Sequence, residues 1–102
     1  MSQTIPEPPT VRSRIADLTK AEQHSLFISE RRCILCGIFA EQTAEISFDE
    51  LVSKVARRDQ EIDSDIPEQV ERVAITLHHT HLPKLEEFGI IAYNIETDQV
   101  LL

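Results

Sequence analysis

Glycine is scarce in this sequence, with two residues in 102, Gly37 and Gly89. A phosphate-cradling loop needs several glycines at close spacing so that backbone N–H groups can approach the anion, and these two are far apart, which effectively excludes nucleotide binding of that kind. No Ser-His-Asp set and no pair of catalytic carboxylates at a meaningful spacing can be assembled either, so the sequence does not read as an enzyme and implies no cofactor. Long apolar runs are also missing. The longest, residues 33–40, is far short of the roughly 20 residues that cross a bilayer. The first ten residues, MSQTIPEPPT, lack a basic flank followed by an apolar stretch and do not read as a secretory signal. A soluble, cytoplasmic protein without membrane contact is expected.

Cations are in short supply too. Eighteen Asp and Glu against ten Lys and Arg give a net charge of −8, which repels polyanions at long range and argues against indiscriminate nucleic-acid binding. The same surplus of carboxylates keeps a protein hydrated in a very salty cytoplasm, where the Debye length falls to about 3 Å and repulsion hardly matters.

Hydrophobic residues make up 41% of the chain, enough for one folded domain and one core at this length. Three prolines among the first nine residues mark residues 1–10 as an extended, disordered lead-in to a domain over 11–102.

Thr19 and Glu22 have the form of a capping box and predict a helix over 20–27. Ser29 is the N-cap of a second helix over 30–41, with Ile28 set to pack on Cys33 as a hydrophobic staple. Ser47 with Glu50, and Ile46 with Leu51, open a third helix over 48–58. An acidic loop follows over 59–66, and Pro67 starts a fourth helix over 67–82. At 100° per residue, Val70, Val73, Ala74, Leu77 and His81 fall on one side of it and Glu68, Arg72, Ile75, Thr76 and His79 on the other. Pro83 is expected to kink or split this helix near residue 82 and Gly89 to stop it. Two β-prone runs, 90–94 and 99–102, flank a hairpin turn without glycine.

Cys33 and Cys36 form a C-x-x-C, and His78, His79 and His81 lie nearby in sequence as potential metal or redox partners. The second half-site is missing, and consecutive positions on a regular helix point about 100° apart, so the histidines do not converge on one ion. No metal site is expected. His81 is read as a core histidine satisfied by a backbone carbonyl, and His79 as outward-facing.

The order of helices followed by a hairpin, with the segments His81 to Ile91, Glu30-Arg31-Arg32, Ser47-Phe48-Asp49-Glu50-Leu51 and Thr80-His81-Leu82-Pro83-Lys84-Leu85, resembles winged helix-turn-helix domains of ArsR-like and MarR-like architecture. More closely, it looks like a small winged-helix domain of unassigned function that is widespread in halophilic archaea, over about residues 18–102. The resemblance implies a mainly α fold with a small β-hairpin and a role in transcriptional regulation on double-stranded DNA. The helix 48–58 would position, the helix 67–82 would enter a major groove, and residues 90–102 would form the wing. Arg72, Ile75, Thr76 and His79 are then the groove candidates, and Lys54, Arg57, Arg58 and Lys84 the phosphate contacts.

Some features point to a different partner. The interval between Arg58 and Pro67 is longer than a usual helix-turn-helix turn and carries four carboxylates. Glu68 and Glu71 open the reading helix, and the wing holds Glu96 and Asp98 but no lysine or arginine. An acidic winged-helix module that binds protein and not DNA is the alternative. A homodimer through residues 11–27 is expected, because Ile15, Leu18, Leu26 and Phe27 are hard to bury in so small a core.

Overall fold

Four short polar residues start the first four helices. In the computed structural model, which describes residues 10–42 and 44–102, Thr10 opens α1 (Val11–Ala16), Thr19 opens α2 (Lys20–Phe27), Ser29 opens α3 (Glu30–Glu41) and Ser47 opens α4 (Phe48–Arg58). Each side-chain oxygen accepts from the backbone N–H three residues on, which satisfies one of the donors a helix start leaves free. The expected box at Thr19 is complete: Glu22 N–H donates to Thr19 Oγ1 (3.1 Å) and Thr19 N–H to Glu22 Oε1 (2.9 Å). The lead-in expected over 1–10 lies outside the described residues except for Thr10.

Ser47 has a second role. It is the last residue of a short strand, β1 (Glu45–Ser47), absent from the sequence reading. With β2 (Ala92–Asn94) and β3 (Gln99–Leu101) it forms an antiparallel sheet in the order β1-β3-β2, so the expected hairpin is one side of a three-stranded sheet. Ile46 lies opposite Val100, and both are buried. Phe48 N–H donates to Asp98 O at 2.8 Å, tying the start of α4 to the hairpin turn.

The fourth helix expected over 67–82 runs further. It comprises α5 (Pro67–Thr76), a wide π turn (Leu77–His81) and α6 (Leu82–Glu87). The widening follows from the spacing of its apolar residues. Val73 and Leu77 are four apart, but the next fully buried residue is Leu82, five further on, and on a regular helix five steps would turn its side chain about 140° from that of Leu77. In the wide turn Leu82 N–H reaches back to Leu77 O, which brings the two leucines onto one side. The same displacement precedes Pro83, whose ring would otherwise press on the carbonyl four residues back. The rod therefore does not split at Pro83, and Leu82, not His81, takes the inward position.

Gly89 ends the rod as expected, with φ 73°. Its N–H donates to Glu86 O (2.9 Å) and that of Ile90 to Leu85 O (3.0 Å), the paired closure of a left-handed cap. Leu35, Ile38 and Phe39 of α3 meet Leu51 and Val55 of α4, the buried face of the rod, and Ile90 and Val100 in one core.

At the N-terminal side, α1 and α2 pack on α3. The four residues expected to need a second copy behave differently from one another: Leu26 is fully buried and Ile15 and Leu18 pack against the core, while Phe27 remains 42% exposed. Ile28 is 70% exposed and makes no staple, because α2 ends there and turns it outward. Arg32 closes this end by donating to Leu26 O (2.9 Å) and Ser25 O (2.8 Å).

Candidate functional site

Glu68, Arg72 and Ile75 of α5 and His79 of the wide turn are exposed, Ile75 by half, while Val73 of α5 and Leu77 of the turn are sealed. Arg72 makes no ion pair among the described residues, so its guanidinium is available to an acceptor.

Thr76 sits at the margin of this face and is held from within. Arg31, at the start of α3, donates from Nη1 to Thr76 Oγ1 at 2.8 Å, and the Thr76 hydroxyl donates to Val73 O at 3.0 Å. The other side of the same guanidinium reaches Asp59 through Nε (3.3 Å) and Nη2 (3.1 Å). Arg31 thus joins three pieces of chain: the start of α3, the end of α4 and the last turn of α5. A pair of arginines at a helix start signals a need for acceptors. Their actual acceptors, a loop carboxylate, a hydroxyl and two carbonyls, are set by tertiary placement.

The other candidate cations are spread out. Arg58 is paired with Glu41 and holds that carboxyl below the usual carboxylate range through its hydrogen bond. Lys54 lies 3.9 Å from Glu50, and Lys84 lies 3.5 Å from Glu87 and over the ring of Phe88. Arg57 donates to Ser53 O of its own helix and is otherwise exposed. Arg72, Ile75 and His79 thus form one face with Thr76 at its edge, whereas Lys54, Arg57 and Arg58 are on α4 and Lys84 is on α6.

Residues 24–101 match the family described as Domain of unknown function (DUF7344). The chain belongs to that family. The match runs from within α2 to the end of β3, so the DUF7344 span contains the sheet, α3 to α6 and every candidate contact residue, and leaves out α1. No curated protein and no solved structure matches the chain.

Within the DUF7344 span the three clustered histidines go to three environments. The His78 ring stands edge-on to Phe48 (6.2 Å), Tyr93 (5.9 Å) and His79 (4.8 Å), joining the wide turn to the start of α4 and the sheet. Sequence reasoning missed this cluster, since its members come from three distant segments. His79 is exposed. His81 is half-buried, and its Nδ1 is buried without a hydrogen-bond partner, so the expected carbonyl is not there. Burial, together with the positive charges of Arg32 and Arg31, lowers its pKa to about 4.

Among the described residues no group of three or more His, Cys, Asp or Glu side chains could hold a metal ion. Cys33 is exposed and Cys36 buried on α3, and burial pushes the Cys36 thiol up to about 11, which suppresses the thiolate needed for ligation or exchange. No helix among the described residues is long and apolar enough to cross a membrane.

The hairpin turn does without glycine by placing Asp98 in the left-handed region, φ 57°, which aspartate tolerates better than most residues. Asn94 Oδ1 accepts from Glu96 N–H and Thr97 N–H, and Tyr93 donates its hydroxyl to Asp98 Oδ1 at 2.9 Å. The turn is thus internally braced, and it carries acids outward.

Proposed function

We propose that this DUF7344 chain is a winged helix-turn-helix domain that acts in transcriptional regulation by inserting the outer face of α5 into a DNA major groove. The observation that carries the reading is the exposed row Arg72, Ile75 and His79 on a helical rod that buries Val73 and Leu77 on its other side. Three helices, a strand, α4, the rod of α5 and α6, and a closing hairpin, with strands in the order β1-β3-β2, agree with that plan, α4 positioning and β2–β3 acting as the wing. Arg72 reaches a guanine edge, Ile75 packs on a thymine methyl, and His79 contacts a base or phosphate. Thr76 contributes mainly by keeping α5 in place, because its hydroxyl donates to Val73 O. Arg57 is exposed to meet phosphate, Lys54, Arg58 and Lys84 do so once their carboxylate partners are screened, and a net charge of −8 makes binding in a salt-rich cell the natural setting.

A homodimer supplies the contact area that one small module lacks, and Phe27, with the adjoining Ile28, offers large exposed apolar side chains at the end of the 11–27 segment to form it. The exposed acids Glu68 and Glu71 favour a second reading, a module whose acidic face answers a basic protein. Titration of a random-sequence duplex against the wild type and Glu68→Gln/Glu71→Gln separates the two: neutralisation tightens DNA binding under the first reading and loosens partner binding under the second.

A further inference from the structure

The long interval between α4 and α5 leaves an open furrow between the two helices. It consists of two adjoining hollows of about 480 Å³ and about 450 Å³ that share Ser53, Ser64 and Val70. The floor is apolar and made of small and medium side chains: Val52 and Ala56 from α4, Val70 and Ala74 from α5. Val70 and Ala74 are only half-buried, so part of this apolar strip has no cover within the chain.

The rim is acidic. Asp49, Glu50 and Glu71 are exposed along it, and of these only Glu50 has an ion-pair partner among the described residues, Lys54 at 3.9 Å. Arg57 is the single cation of the lining, and its Nε is engaged with Ser53 O. Three carboxylates against one arginine make the rim net negative, so a chain carrying lysine or arginine beside an apolar row is matched on both counts.

We propose that the furrow between α4 and α5 docks an amphipathic helical segment of a partner protein, one with a narrow apolar row flanked by lysine or arginine. A helix laid in a groove presents anchors at i, i+3, i+4 and i+7, which suits a strip lined on both sides by helical stripes. The furrow side of α5, centred on Val70 and Ala74, lies about 150° around the helix from Arg72 and Ile75. The inference does not rest on the DNA reading; it shares Glu71 with the second reading and goes beyond it by naming the seat and the partner's shape, which Ser53→Arg tests apart from Glu68 and Glu71.

The test uses the full chain, labelled with ¹⁵N, and two synthetic peptides with free ends blocked. One has leucine at i, i+3, i+4 and i+7 and lysine elsewhere on its flanks; the other has glutamate in place of lysine. The lysine peptide is expected to shift the amides of Ser53, Ser64, Val70 and Ala74, and to bind at least about ten-fold more tightly than the glutamate peptide. Ser53→Arg, at an exposed position where the hollows meet, is expected to weaken binding by about ten-fold or more with the thermal midpoint unchanged. Should that variant not fold, Glu71→Gln is expected to weaken it about three-fold. Absence of binding, shifts centred on Phe27 and Ile28, equal affinity for both peptides, or variants that bind like the wild type would each overturn the proposal.

Discussion

Arg31 donates to the hydroxyl of Thr76 at 2.8 Å across 45 residues of chain, and the same guanidinium pairs with Asp59. The Arg31 and Asp59 side chains are only 20% and 12% exposed, so the link acts where water competes weakly. Arg31→Ala strands the Asp59 carboxylate and frees Thr76. A loss of about 1–3 kcal/mol in chemical denaturation is expected, with Arg31→Lys recovering part of it because an ammonium cannot span both acceptors in one plane.

The wide turn makes a prediction that separates two neighbours. Leu82 is fully buried and His81 is not. Leu82→Ala should cost about 2–5 kcal/mol, the range for a buried leucine, and His81→Ala well under that. A regular helix through this segment would reverse the order, so urea titration of the two variants decides which register the rod adopts.

His81 also gives stability a pH dependence. Its folded pKa, about 4, lies below the ordinary value of 6.5, so the unfolded chain takes up a proton first. The contribution is intact above about pH 6.5 and is lost as pH falls toward 4, where the folded form protonates as well. His81→Gln should flatten the fall in thermal midpoint between pH 7 and 4 relative to the wild type, measured by calorimetry in matched buffers.

Tyr93 is the single tyrosine in a chain without tryptophan, so its ionisation can be followed by ultraviolet absorbance alone. Burial first, and then its hydrogen bond to Asp98, push it up to about 12. Asp98→Ala should bring the midpoint down toward the usual value without reaching it, because burial remains.

Much of this architecture was legible in the sequence where a local rule sufficed. The Thr19–Glu22 box and the Ser29 and Ser47 caps set three helix starts, because capping is decided within four residues. The α1 start escaped notice: Thr10 is paired with Ser13, not with the glutamate or glutamine that marks a box in sequence. Three residues of β1 are too few to display alternation, and their ladder partners lie more than 50 positions away. In the rod a regular period places His81 inward, whereas the five-residue step from Leu77 to Leu82 puts Leu82 there. Of the outer row, His79 lies inside that step and is exposed as well, while Arg72 and Ile75, upstream of it, were legible. The Phe48–His78–Tyr93 cluster and the furrow were not, since both depend on how distant segments meet.

The central claim rests on Arg72. Fluorescence anisotropy of a random-sequence duplex, at low salt and at molar salt, against the wild type and Arg72→Ala is its most direct test. Binding by the wild type, weakened by about 1–3 kcal/mol in Arg72→Ala with an unchanged unfolding midpoint, is the expected result. Wild type and Arg72→Ala that cannot be told apart at both salt concentrations would contradict a DNA-reading α5.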